Sequence, residues 1–174
     1  NSSGMRRPMR AVQTRRYLYI FNPWADGRRR LRSATMGTKT FRRMQELATT
    51  NEAVAQRLRL LQYREREEFY DLQDDPDCLH NLIAEPDLVP QLDTHRALLA
   101  HWMRRTDDPM YDTWLQRDDE AVISAYMHEQ RAIEQKRRNW RKAIRETLQA
   151  QTQETVETSN EGQEEGGRAD AIAH

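Results

Sequence analysis

Cysteine is nearly absent from this 174-residue chain. Cys78 stands alone, which excludes an internal disulfide framework and a cysteine-based zinc set. With no activating base beside it in sequence, it reads as a bland thiol rather than a nucleophile. Long apolar runs are missing too. No stretch approaches the roughly 20 apolar residues needed to span a bilayer, and the opening Asn1-Ser2-Ser3-Gly4-Met5-Arg6 has no apolar signal core. The first residue is not Met, as expected of a truncated chain. Hydrophobic residues make up 37%, charged residues 32%, and mean hydropathy is −1.04. That is too polar for one core over the whole length, so a small folded unit with a solvated helix and tail is expected. Net charge is also absent, with 28 Lys/Arg against 28 Asp/Glu, but the signs are segregated. Residues 1–50 hold 12 basic and two acidic residues, whereas residues 51–120 hold eight and 17. Such runs pair internally or face water, or else present a basic rim to an anionic substrate. No internal repeat is evident.

What is present is a sequence of short structural signals. Ala11 to Thr14 and Tyr17 to Asn22 are rich in β-branched and aromatic residues, and Thr14-Arg15-Arg16 can turn between them. They predict a hairpin, ended by Pro23 and Asp26-Gly27. Phe69 to Leu72 predicts a third, edge strand. Thr38 or Thr40 can cap a helix through Phe41, Met44 and Leu47, and Asn51 can cap a second. Pro86 suits the first turn of a third helix, over 87–105. Leu92, Leu99 and Trp102 are expected to turn toward the sheet, and Asp107-Asp108-Pro109 to stop the helix. From Asp118 to about Gln151 the chain reads as a long polar helix with a thin apolar seam. The Thr/Glu/Gly/Gln-rich remainder, 152–174, reads as disordered. The five histidines form no site by spacing. His95 and His101, six apart on a helix, point to different faces, and His80, His128 and His174 read as solvated.

The run Glu67-Glu68-Phe69-Tyr70-Asp71-Leu72-Gln73-Asp74-Asp75-Pro76-Asp77-Cys78-Leu79-His80-Asn81-Leu82 resembles the ending of type I sulfatases, in which a last strand and an Asp-Pro turn lead through Asn-Leu to a helix. The opening Pro8-Met9-Arg10-Ala11-Val12-Gln13-Thr14-Arg15-Arg16-Tyr17-Leu18-Tyr19-Ile20-Phe21-Asn22 resembles the strand pair that precedes it in that family. It is most similar to the heparan N-sulfatase branch, as are the helix from Thr40-Phe41 and the stretch Trp102-Met103-Arg104-Arg105-Thr106-Asp107-Asp108-Pro109. The resemblance covers about Pro8 to Pro109. It implies an α+β unit, a small antiparallel sheet covered by helices, as in the C-terminal subdomain of an alkaline-phosphatase-like sulfatase fold. The expected divisions are that subdomain over 1–109, a helical extension over 110–151 and a disordered tail over 152–174.

The resemblance also implies what lies elsewhere. The family's nucleophile, a formylglycine made from a Cys-x-Pro-Ser-Arg type motif, and its calcium belong to an N-terminal catalytic domain. Metal and cations offset the charge that a sulfate ester or sulfamate spreads over its oxygens. This chain has no such motif: Cys78 is followed by Leu79-His80-Asn81-Leu82. No catalytic residue, metal ligand or cofactor is assigned to it. Asp74-Asp75 reads as a solvated acidic turn. The expected partners are that catalytic domain and a sulfated carbohydrate, with no nucleic acid and no membrane. The compartment stays open, since the family is typically periplasmic, secreted or lysosomal.

Five residues are candidates for a substrate rim: Arg6, Arg7, Trp24, Arg28 and Arg29. In the cluster Arg28-Arg29-Arg30-Arg32, guanidinium forks match sulfate oxygens and Trp24 can stack on a sugar ring. The competing reading is a solvated loop with Trp24 in the local core. A different class of function also stays open, a stand-alone helical interaction module. There Arg131, Lys136, Arg137, Arg138, Arg141, Lys142 and Arg145 would meet a partner.

Overall fold

The fold is seen in a computed structural model that describes residues 6–31 and 33–169. Arg32, and residues 170–174 of the expected tail, lie outside the described residues. Three strands form one antiparallel sheet: β1 (Arg10–Gln13), β2 (Tyr17–Phe21) and β3 (Glu67–Asp71), in the order β1-β2-β3. The register pairs Val12 with Tyr19 and Tyr19 with Phe69. The hairpin turn is held by Thr14, whose hydroxyl accepts from the Tyr17 amide at 3.1 Å.

Five α-helices stand among the described residues. Helix α1 (Lys39–Leu47) starts at Thr38, whose side chain accepts from the Phe41 amide. Helix α2 (Glu52–Gln62) starts at Asn51, which accepts from Val54. After a single 3-10 turn at Pro86–Leu88 comes α3 (Val89–Arg105), which packs on β1 and β2. Helix α4 (Tyr111–Leu115) is short, and α5 (Glu120–Ala169) is long. Asp107 leaves α3 with φ of 49°, a left-handed turn that an Asp tolerates. Gly27 also needs positive φ, at 70°, and a Cβ there would stand 2.8 Å from Glu65 Oε1.

The sheet face bearing Tyr19, Phe21 and Phe69 forms the main core with Leu92, Leu99, Met103, Met110, Trp114 and Ile123. Full burial of one such aliphatic or aromatic side chain is worth about 1.5–3 kcal/mol. Two expectations are corrected here. Trp102 does not face the sheet, since it is 44% exposed. The buried stripe of α3 is Leu92, His95, Leu99 and Met103, and the position before Met103 lies about 100° around the helix. His95 and His101 do lie on different faces, the first buried and the second exposed. His95 is a core residue, with Nδ1 donating to the Gln91 carbonyl at 2.7 Å and its ring edge-on to Tyr17 and Phe69. The Thr14 hydroxyl stands 3.0 Å from its Nε2. The second correction concerns the tail. Helix α5 passes Gln151 and continues to Ala169. No proline follows Pro109, and Glu, Gln and Ala recur, so each added residue gains a backbone bond.

Contacts divide the chain into two units, residues 1–131 and 132–174. The first therefore extends past Pro109, where the resemblance ends, and takes in Met110, Trp114, Ile123 and Met127. The described part of the second is α5 from Ala132 to Ala169. No helix among the described residues is long and apolar enough to cross a membrane.

Candidate functional site

The chain leaves β2 through Asn22-Pro23 into a tight loop. Asp26 orders it: one carboxylate oxygen accepts the Arg28 amide at 3.0 Å and the Arg29 amide at 2.5 Å. Burial by itself pushes the Asp26 carboxyl up, but these two amides and the nearby guanidinium groups outweigh it and hold it below its ordinary range. The same loop fixes Arg29, whose Nη1 donates to the Trp24 carbonyl at 3.1 Å.

Three of the five candidate residues thus meet. Arg7 places its guanidinium carbon 5.7 Å from the Trp24 ring centroid, and Arg29 binds the Trp24 backbone. Arg28 stays exposed, and the structure ties only its amide to the loop. Arg6 lies near Tyr126. Burial raises that phenol's pKa, and the charges of Arg10 and Arg6 oppose the rise. Trp24 is 5% exposed and packs with Ala25 and Met127, so its ring is not open for stacking on a sugar. The local-core reading of this residue is the one observed.

Beside Trp24 lies a polar cavity of about 50 Å³, lined by Asp26, Arg29, Arg66, Glu120 and Arg131 among others. Arg66 pairs with Glu120 through Nη2. Reading the sequence missed Arg66, Glu120 and Arg131. Nothing local marks them: they arrive from the β3 approach and from α5, 42 or more positions away.

A second charged centre gathers around Glu67, on the sheet face that carries the main core. Glu67 accepts from Arg96 Nε and Nη2, both at 3.0 Å, and from the Tyr19 hydroxyl at 2.7 Å, and Arg117 stands at 3.3 Å. The indole of Trp114 donates back to Tyr19 at 3.3 Å. Burial, then Glu67, push the Tyr19 phenol well above its usual range, so it works as a donor and not as an acid. Glu68, on the opposite face and 2% exposed, is held by Arg64, Asn22, Tyr70 and the Glu65 amide. Both carboxylates are saturated with donors, so they build structure rather than chemistry.

Among the described residues no group of three His, Cys, Asp or Glu can hold a metal ion. Burial, then the Asp75 charge, raise the Cys78 thiol, against the needs of a nucleophile.

The exposed apolar surface lies elsewhere than expected. Four aromatics of the hairpin, Tyr17, Tyr19, Phe21 and Trp24, are expected to leave an open patch. Instead α3, α4 and the start of α5 cover them: Tyr19 and Phe21 are fully buried, Trp24 nearly so and Tyr17 in part. An apolar groove of about 570 Å³ opens between α1, α2 and the loop after β3, lined by Met44, Leu47, Val54, Leu60 and Leu79. Comparison with protein-family models and with curated proteins finds no match to this chain.

Proposed function

We propose that the chain is the C-terminal subdomain of a sulfatase, a hydrolase of sulfuric esters or sulfamates on a sulfated sugar. Its part is structural, with a cationic rim, and the nucleophile and calcium belong to the catalytic domain. The observation that carries this reading is a meeting of the separate matching segments. Tyr17 of the opening stretch pairs with Asp71 of the Phe-Tyr-Asp-Leu strand, and Arg10 forks onto Asp108 of the closing Asp-Asp-Pro. Stretches that resemble one family in order and spacing also build one tertiary unit. The cavity beside Trp24, with Arg29, Arg66 and Arg131, supplies the rim cations.

The test is the reading frame upstream of this chain. It should encode an in-frame Cys-x-Pro-Ser-Arg type motif, and the whole protein should release sulfate from a sulfated sugar in the presence of calcium. The 174-residue chain by itself should release none. A frame that opens near Met5, or calcium-dependent sulfate release by this chain alone, sinks the reading.

One observation favours a second reading, the interaction module. Residues 136–145 hold six cations and no acid, and Trp140 among them is 65% exposed. With Ile144 and Leu148, 39% and 57% exposed, it forms a stripe at a spacing of four. On that reading α5 pairs with a helix. Sedimentation of the full chain would then show concentration-dependent association that Trp140→Ser abolishes. A monomer at all concentrations speaks against self-pairing.

A further inference from the structure

Trp24 and Arg66 leave two buried donors unpaired beside one cavity. The indole Nε1 of Trp24, a residue 5% exposed, has no hydrogen-bond partner, and neither does the buried Nε of Arg66. Both residues line the polar cavity of about 50 Å³. An indole N–H and a guanidinium N–H can only donate, so the missing partner must be an acceptor. Buried donors without a partner are rare and costly, and they mark a place where something else completes the set.

The charges around the cavity agree. Arg29, Arg66 and Arg131 face it with Asp26 and Glu120. The two carboxylates are already engaged, Asp26 by the Arg28 and Arg29 amides and Glu120 by Arg66 Nη2. Arg131 is exposed, lines the cavity and makes no ion pair among the described residues. Arg29 Nη2 also lies 3.8 Å from Asp26, so Arg29 and Arg66 are each offset by a carboxylate, and the surplus is the charge of Arg131 with the two unpaired N–H donors. Guanidinium groups are the side chains best shaped for tetrahedral oxyanions. The volume admits one small group and no sugar ring.

We propose that this cavity binds one small oxyanion, either the sulfate of a sulfated sugar or the free inorganic ion. Trp24 Nε1 and Arg66 Nε donate to its oxygens, and Arg131 closes over it. The sugar source rests on the sulfatase reading, whereas the free ion does not.

The indole region of a ¹⁵N–¹H spectrum of the full chain tests this directly. Four tryptophans give four indole signals, and Trp24→Phe identifies one of them. Sodium sulfate, at ionic strength held constant with sodium chloride, should shift the Trp24 indole in a saturable way. The signals of Trp102, Trp114 and Trp140 should stay in place. Arg131→Gln should weaken binding about tenfold, as expected for loss of one charged hydrogen bond. Arg145→Gln, an equal change of charge on an exposed residue outside the cavity, should not. Backbone amide signals check that each variant is folded. A monosaccharide 6-sulfate forms the second arm. If it saturates the same signal, the sugar source is supported. If inorganic sulfate binds and the sugar sulfate does not, the oxyanion site stands and the sulfated-sugar rim falls. A Trp24 signal unmoved by both, moved equally by chloride, or unaffected by Arg131→Gln overturns the site.

Discussion

Arg10 and Asp108 meet across 98 positions of sequence. Arg10 Nε reaches one carboxylate oxygen at 2.5 Å and Nη2 reaches the other at 2.9 Å. The fork ties the outer strand of the sheet to the turn between α3 and α4. Asp108 also accepts the Met110 amide at 2.9 Å, which starts the turn that brings Met110 and Trp114 into the core. Its side chain is 5% exposed and that of Arg10 27% exposed, so loss of the cation strands a buried carboxylate. Arg10→Ala should lower unfolding free energy by about 3 kcal/mol. Arg10→Lys should recover only part of it, because an ammonium lacks the fork. Equilibrium denaturation measures both, and a loss of a few tenths for Arg10→Ala would show that the pair is ornamental.

The same residue sets an acid limb. Burial works to raise the Asp108 pKa, but Arg10 and the Met110 amide outweigh it, and the result lies below the ordinary 3.8. A carboxylate lowered in the folded state adds stability that is full above its unfolded pKa and is lost as pH falls through the native value. Asp71, lowered first of all by its hydrogen bond from Arg16, acts with the same sign. Between pH 6 and 8, at least about two units above the ordinary value, both groups therefore contribute in full and should add no pH dependence to the melting temperature. Below about pH 4 it should fall, and Arg10→Ala should flatten the fall. An acid limb equally steep in that variant would assign the effect to other carboxylates.

Two tryptophans separate the observed packing from the expected one. Trp114 is 4% exposed and hydrogen-bonded to Tyr19, while Trp102 is 44% exposed. Trp114→Ala should cost about 3–5 kcal/mol. Trp102→Ala should stay within about 1 kcal/mol, as surface changes do. The reverse ranking in a denaturant series would mean that α3 is rotated from the position described.

The groove beside α1 and α2 should bind a hydrophobic dye. Leu47 and Leu79 are 37% and 38% exposed on its walls, so a charge there disturbs the groove more than the fold. Leu47→Glu and Leu79→Glu should each remove most of the dye fluorescence and leave the melting curve in place. Dye binding that survives both changes would place the apolar surface elsewhere.

Cys78 should react slowly. Its thiol is raised above 9.0 by burial and by Asp75, and only the thiolate attacks. Alkylation at neutral pH should be slower than that of free cysteine, and its rate should still be rising past pH 9. A plateau below pH 8 would contradict the environment described.

Much of this was legible in the chain itself, for physical reasons. Strands and caps are local: the aromatic and β-branched run from Tyr17 to Phe21, Thr38 and Asn51 ahead of their helices, and Pro86 in a first turn depend on neighbours within four residues. The hairpin and an edge strand at Phe69 to Leu72 were expected, but only the fold decided that this strand runs over Glu67–Asp71 and pairs with β2 rather than β1. The tertiary structure decided which apolar residue is buried and which distant charges meet. Leu92 and Leu99 leave the choice between Trp102 and Met103 open by spacing, and the sheet settles it by what fits above Tyr19 and Phe69. Met110, Trp114, Ile123 and Met127 carry no family pattern, yet they close the core over the hairpin's aromatics. The cavity beside Trp24 was half visible as an arginine-rich loop. Its other half, Arg66 and Arg131, comes from segments that only the folded chain brings near, because packing and long-range ion pairs are set by three-dimensional fit and not by sequence distance.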